Sequence, residues 1–155
     1  MVSLRAENRV VALRRQRLTA GALVRDGEGR VLLVEPTYRP DWLTPGGSVE
    51  AAESPARAAG REILKELGLP LPIGRLLVMQ WGHEDGEPDG VLNFTYDSGV
   101  IDAAMANKIR LETDLAAFHF IPAEFVVTLT SRETANRVEA ALDALASGTL
   151  KEPGR

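Results

Sequence analysis

A mixed α/β domain, with helices covering the faces of a β-sheet, is the fold class this sequence predicts. Three observations carry it. Strand-like runs flank a well-capped helical segment at 55–67; a strong turn signal, Asp26-Gly27-Glu28-Gly29, joins two of those runs; and a second capped helical segment lies near the end of the chain at 131–147.

Taken in order, residues 1–16 (MVSLRAENRVVALRRQ) are Arg-rich and only loosely periodic, so a short helix, an edge strand and a lead-in segment all stay open. Arg17–Arg25 (RLTAGALVR) and Arg30–Glu35 (RVLLVE) are β-rich, and the turn between them predicts a hairpin. Residues 36–47 hold Pro36, Pro40, Pro45 and two glycines and predict a loop that contains Tyr38, Arg39 and Trp42. Ser54 suits an N-cap, Pro55 the first helical position and Gly68 the residue after the last turn, so a helix is expected over 55–67. At about 100° per residue, Ala56, Gly60, Ile63, Leu64 and Leu67 share its apolar face. Glu62 and Glu66 then fall beside that stripe, at the edge away from the core. Residues 74–82 (GRLLVMQWG) and 90–97 (GVLNFTYD) are strand-like around an acidic loop, and Phe118–Ile121 predicts a further strand. Ser131 caps the last helix, whose inner face is expected at Ala135, Val138, Leu142 and Leu145; Gly148 ends it. The organisation expected is a lead-in at 1–16, one domain at 17–147 and a flexible tail at 148–155.

The 155 residues suffice for one domain with a sizeable core. Lys plus Arg total 18 against 22 Asp plus Glu, a net charge of −4, which argues against a nucleic-acid polymer or an anionic membrane as partner. The absence of cysteine excludes disulfides and thiolate metal sites. No apolar run reaches membrane-spanning length and the first residues lack the apolar core of a signal peptide, so a cytoplasmic location is expected.

The informative stretch is GGSVEAAESPARAAGREILKELGL, residues 46–69. Glu62 and Glu66 stand one helical turn apart, where like charges repel by a few tenths of a kcal/mol. Gly47, five residues, Glu53, seven residues, then Arg61-Glu62-Ile63-Leu64-Lys65-Glu66-Leu67-Gly68-Leu69 resembles the Nudix box, the signature of enzymes that hydrolyse a nucleoside diphosphate linked to another moiety. Every specified position matches except Lys65, where the family usually has Glu. The preceding hairpin, the Trp42…Pro45-Gly46-Gly47 approach and the Phe118-His119-Phe120-Ile121-Pro122 segment are also similar to the family, so the resemblance covers most of 17–147.

The resemblance implies a Nudix-like α/β/α sandwich and a small nucleoside diphosphate derivative as substrate. It implies Mg²⁺, with Mn²⁺ as a substitute, held by carboxylates because a pyrophosphate flanked by negative oxygens needs a divalent cation before water attacks it. Glu66 resembles a direct metal ligand and Glu62 a ligand or the base that orients water. The backbone carbonyl of Gly46 or Gly47 resembles a further ligand. Glu53 and Arg61 resemble the ion pair that fixes the loop to the helix. Tyr38, Arg39 and Trp42 are the expected substrate contacts, whereas Trp81 and Phe94 are read as core or hairpin packing and His119 as structural. A further carboxylate is expected from Glu84, Asp85, Glu87, Asp89, Glu112 or Asp114. Lys65 has two readings, an i,i+3 partner for Glu62 or an ammonium occupying the place of a further cation. Either way fewer or weaker metals are expected, and the alternative function is a nucleotide-binding module with little or no turnover. Many relatives form dimers, and a homodimer is left open.

Overall fold

The computed structural model describes residues 3–6, 9–12, 16–83 and 89–153. Within the N-terminal segment, β1 (Ser3–Ala6) and β2 (Arg9–Ala12) pair antiparallel as a small separate sheet. The main sheet is mixed. It contains β3 (Arg17–Arg25), β4 (Val31–Pro36), β5 (Gly46–Ser48), β6 (Leu76–Gly82), β7 (Val91–Val100) and β8 (Leu115–Ile121), in the order β6-β7-β3-β4-β8 with β5 paired to β3. β3 runs parallel to β7, and the other pairings are antiparallel.

The hairpin turn forms where the Asp-Gly-Glu-Gly signal places it, because Asp26 Oδ1 accepts the N–H of Glu28 at 3.0 Å and of Arg30 at 2.9 Å. Its strands separate at once: β4 meets β3 only at Arg25↔Val31, and then pairs with β8 from Val31↔Ile121 onward. That divergence frees the first half of β3 to pair with β5. β5 consequently ends the Pro-rich loop in the middle of the sheet.

α1 (Pro55–Leu67) has the predicted bounds. Ser54 Oγ accepts the N–H of Arg57, and Gly68 closes the helix in the left-handed conformation with φ of 69°, as the absence of a β-carbon allows. Its buried face differs from the expected one. Ala58, Ala59, Glu62, Ile63, Glu66 and Leu67 are buried, whereas Leu64 is 50% exposed. The cause is the surface opposite: Ala58 and Ala59 pack closely on Ala20 of β3, turning Glu62 and Glu66 inward toward β5 and Leu64 outward. The expectation that the glutamates lie away from the core is thereby corrected.

Short α2 (Ala103–Ala106) and α3 (Val126–Leu129) precede α4 (Arg132–Ser147), which is capped by Ser131 and Gly148 as predicted. α4 covers the face opposite α1. Ala22, Val24, Leu32 and Val34 pack with Ile63 and Leu67 on one side, and Leu23, Val31 and Leu33 pack with Val138, Ala141 and Ala144 on the other. The inner face of α4 also departs from expectation, since Thr134, Arg137, Val138, Ala140, Ala141 and Ala144 are buried while Ala135, Leu142 and Leu145 are only partly so. Beyond α4 the chain is tied to the edge of β6: Lys151 donates to Leu77 O at 2.9 Å and accepts from Met79 N–H at 3.1 Å. Among the described residues no helix is long and apolar enough to cross a membrane.

Ile63 and Leu64 are adjacent and of equal volume, yet only Ile63 is fully buried. Ile63→Ala is expected to destabilise by about 2–5 kcal/mol, and Leu64→Ala by about 0.5 kcal/mol or less. Urea denaturation midpoints at constant m-value measure both, and equal losses would contradict this orientation of α1.

Candidate active site

Two carboxylates of α1 are built into the backbone of β5. Glu62 is 8% exposed and Glu66 6%. Glu66 Oε1 accepts the N–H of Gly46 at 2.9 Å. A β-carbon on Gly47 would stand 2.5 Å from Glu62 Cδ and 2.7 Å from its Oε2, so the carboxylate occupies the space that any other residue would fill. The strand is just as tight on its other side: a β-carbon on Gly21 would meet Pro45 O at 2.3 Å and one on Gly46 would meet Ala20 O at 2.6 Å. The glycines therefore serve close approach, as strand glycines do beside a ligand or another backbone.

Arg61 fastens this arrangement. Its Nε and Nη2 donate to both oxygens of Glu53 at 2.7 and 2.9 Å, Nη2 reaches Ser48 O at 3.0 Å, and Nη1 donates to Glu62 Oε1 at 2.6 Å. These guanidinium bonds, with the N–H of Glu50, hold the Glu53 carboxyl down at about 2. Glu53 in turn, with Glu62, pushes Arg61 above its ordinary value. Glu66 behaves in the opposite sense. Burial, reinforced by the charges of Glu62 and Glu112, pushes its carboxyl up to about 8, against the pull of the Gly46 N–H and Lys65.

Among the described residues no three His, Asp or Glu side chains converge into a ready-made metal cage. The donor set still fits a hard divalent cation of the Mg²⁺ kind, which takes one or two carboxylates and completes its shell with water and substrate phosphate. Glu62 and Glu66 supply two buried carboxylates one turn apart beside the Gly46-Gly47 backbone.

Gly46 and Gly47 form one wall of a cleft of ≈ 440 Å³. Tyr38 and Arg39 line it, as does Ser48, whose Oγ accepts from Arg17 Nη2 at 3.3 Å. Tyr38 is close enough to Glu66 for that charge to add to burial in raising its hydroxyl above the ordinary value. Trp42 is placed apart from these residues. Its ring stacks on His119 at 4.6 Å between centroids, it packs against the α4-side core, and it is not in the cleft wall. The bond from its N–H to Leu129 O, at 2.9 Å, holds Trp42 on that side, apart from Tyr38 and Arg39, the other two expected substrate contacts. Phe94 packs in the core beside Ala20 and Ala58.

Lys65 does not take Glu62 as its partner. It is 60% exposed at its side chain and its ammonium lies 3.9 Å from Glu112 Oε2, while Glu62 takes Arg61 as its partner. Of the outlying carboxylates, Glu112 approaches the site, and its N–H donates to the backbone oxygen of Glu66 at 3.2 Å. Asp114 holds the Tyr38 loop through its carbonyl, which accepts from Thr37 N–H at 2.9 Å. Glu84, Asp85 and Glu87 lie outside the described residues.

Sequence reasoning missed several residues of the cleft wall: Arg17, Thr19, Asn93, Thr95 and Arg137. Asn93 Nδ2 donates to Thr19 Oγ1 at 2.8 Å and Thr95 Oγ1 donates to Asn93 Oδ1 at 2.7 Å, linking β3 and β7 across the cleft floor. Arg137 projects from α4. It carried a readable signal, a charged residue in line with Ala141 and Ala144 on the small-residue face of its helix.

Comparison with known proteins agrees with the architecture. The profile of the NUDIX domain matches residues 15–139. Diphosphoinositol polyphosphate phosphohydrolase 2 from Rattus norvegicus is 49% identical over 51 residues, 32% of this chain and 28% of that protein, so the match spans well under half of the relative. The MutT protein from Methanosarcina mazei Go1 superposes with a TM-score of 0.71 at 19% identity, covering 89% of this chain and 99% of the other. An ADP-ribose pyrophosphatase from Streptococcus suis superposes with a TM-score of 0.68 at 17% identity, over 89% and 98% of the two chains. At those identities the superpositions show a shared fold.

The elevated Glu66 carboxyl sets a pH dependence in metal-free protein. The folded chain keeps a proton there between the ordinary 4.5 and about 8 that the unfolded chain has released, so stability falls as pH rises through that window. Thermal unfolding in EDTA is expected to show Tm declining from about pH 5 to about pH 8, and Glu66→Gln is expected to remove most of the decline. A slope unchanged in the variant would place that proton elsewhere.

Proposed function

The chain belongs to the Nudix hydrolase family, and from that membership we propose that it cleaves the pyrophosphate bond of a nucleoside diphosphate derivative with the help of a divalent cation, Mg²⁺ or Mn²⁺. The observation that carries this reading is the burial of Glu62 and Glu66 against Gly46 and Gly47, at the wall of a cleft that also presents Arg39 and Tyr38. When bound, the cation supplies neutralisation of the diphosphate oxygens and activation of water.

The residues of this chain do the rest. Glu66 and Glu62 would hold the cation, and Glu62 would also orient the attacking water. Gly47 leaves room for Glu62, and a carbonyl of the Gly46-Gly47 pair completes the protein's oxygen donors. Glu53 and Arg61 keep the loop and the carboxylates in one geometry, which matters because displacement of reacting groups by about 1 Å costs on the order of a hundredfold in rate. Arg39 meets phosphate, and Tyr38 lines the cleft within reach of the Glu66 charge. The placement of Lys65 beside Glu112, on the exposed side of α1, supports turnover over the silenced binding module, since the ammonium does not stand between the two buried glutamates.

Incubation with nucleotides, dinucleotides and nucleotide sugars in Mg²⁺ or Mn²⁺ is expected to release phosphorylated products, measured by anion-exchange chromatography. Glu66→Gln is expected to lower kcat by about a hundredfold or more, because it removes charge that acts on the developing transition state. Turnover intact in both Glu62→Gln and Glu66→Gln would refute the site. Ligand binding without products, with hydrolysis gained in Lys65→Glu, would establish the binding module instead.

A further inference from the structure

We propose that the polar row Thr19–Asn93–Thr95 on the floor of the cleft recognises a nucleobase, with the Asn93 carboxamide as the specificity-determining group. The substrate class is then a base-bearing diphosphate compound. Its base enters this cleft, while its diphosphate extends past Gly46 and Gly47 toward Glu62 and Glu66. The inference rests on the hydrolase reading and specifies which half of the ligand the cleft accepts.

The row breaks the pattern of its own sheet face. Leu23 of β3 and Leu33 of β4 pack there with Val138 and Ala141 of α4. Thr19 and Gly21 share that face with Leu23, since they stand at alternate positions of β3. The parallel pairing with β7 sets Asn93 opposite Thr19 and Thr95 opposite Gly21. β6 continues the row, with Gln80 opposite Asn93. Packing alone favours apolar side chains at such positions, yet Thr95 is 4% exposed and Gln80 6%. Polar groups converging where a core would be expected are characteristic of a binding site. The cleft they line, at ≈ 440 Å³, has the size of a small-ligand cavity.

Asn93 is the distinctive element. Its Nδ2 donates to Thr19 Oγ1 at 2.8 Å, and its Oδ1 accepts from Thr95 Oγ1 at 2.7 Å. A carboxamide has two N–H groups and two lone pairs on oxygen, so beyond these bonds Asn93 retains one donor and one acceptor. Thr19, which accepts from Asn93, retains its hydroxyl proton. The two threonines fix the plane of the carboxamide in advance, which lowers the cost of ordering it on a ligand. Nucleobases carry a donor beside an acceptor on one edge, and a carboxamide meets that pattern with paired hydrogen bonds. Tyr38, on the same cleft wall and 66% exposed, adds a ring on which a base can stack. The guanidinium groups of the wall are already engaged with the protein. Arg137 Nη1 donates to Gln80 Oε1 at 2.8 Å, Arg17 Nη2 donates to Ser48 Oγ at 3.3 Å, and Arg39 lies 3.8 Å from Asp41 Oδ2. The floor therefore offers neutral donors and acceptors, which suit a base.

Titration calorimetry in EDTA, at fixed ionic strength, compares ribose 5-phosphate with AMP, GMP, CMP and UMP, which differ from it in carrying a base. Wild type is expected to bind the tightest of these nucleotides at least about tenfold more tightly than ribose 5-phosphate. Asn93→Leu is expected to reduce that ratio to about twofold or less, while its affinity for ribose 5-phosphate changes less than about twofold. A wild-type ratio below about threefold overturns the base subsite. So does a ratio in Asn93→Leu within about twofold of the wild-type value, which with a lowered Tm would make the row a link between β3 and β7 only. If Asn93→Leu does not fold, the isosteric Asn93→Asp, which removes the remaining donor, decides by the same ratio. Turnover that survives loss of Glu62 and Glu66 would defeat the hydrolase site while leaving these binding results standing. Nucleotides that bind no better than ribose 5-phosphate would remove the base subsite while leaving the hydrolysis standing, so the two failures are separable.

Discussion

Glu62 and Glu66 are buried against the backbone of a three-residue strand that has no side chain in their way, and most other features of the site answer to that contact. β5 can lie there only because β3 carries Gly21 beneath Pro45 and because Gly46 and Gly47 admit Ala20 on one side and Glu62 on the other. β3 has room for β5 only because β4 leaves it after a single pairing at Arg25. The hairpin, the glycine strand and the carboxylate helix are thus successive consequences of one requirement, that two acidic side chains meet main chain directly.

Such a contact opposes stability in isolation. Carboxylates one turn apart repel, and burying a charge without a full complement of partners is unfavourable. Arg61 offsets part of this for Glu62, and the Gly46 N–H offsets part of it for Glu66, whose carboxyl nevertheless rises to about 8. Glu53 and Arg61 show the opposite balance, a bidentate pair that lowers the carboxyl and ties residues 48–53 to α1. A scaffold of satisfied charge therefore surrounds one acid that is left unsatisfied, and functional sites are where such local inconsistency is expected.

Local chemistry was what could be read from the chain. Caps at Ser54, Gly68, Ser131 and Gly148, the Asp26 turn and the spacing of the box fixed the helices, the hairpin and the acidic pair before any contact was known. The helix faces were misjudged for a shared reason. Ranking by apolar size puts Leu64, Leu142 and Leu145 inward, whereas the sheet accepts Ala58, Ala59, Ala141 and Ala144 at close range and lets the larger side chains spread to the rim. The same error hid Arg137, which lies in line with those alanines. Arg17, Thr19, Asn93 and Thr95 were illegible for a different reason: they become neighbours only through the parallel pairing of β3 with β7, in which Thr19 stands opposite Asn93. Pairing between distant strands leaves no trace in either strand's own sequence.

The sheet also sets what reaches the cleft from each side. Arg137 of α4 shares the cleft wall with Thr19, Ala20 and Gly21 of β3, whereas Glu62 and Glu66 of α1 lie against Gly46 and Gly47, which form the wall in front of them. Lys65, where the family pattern has Glu, projects outward from α1 and pairs with Glu112 at 3.9 Å, yet its charge still pulls on the carboxyl of Glu66. The departure from the family pattern therefore changes the charge beside the buried pair, while Glu62 keeps its bond from Arg61 and Glu66 its bond from the Gly46 N–H.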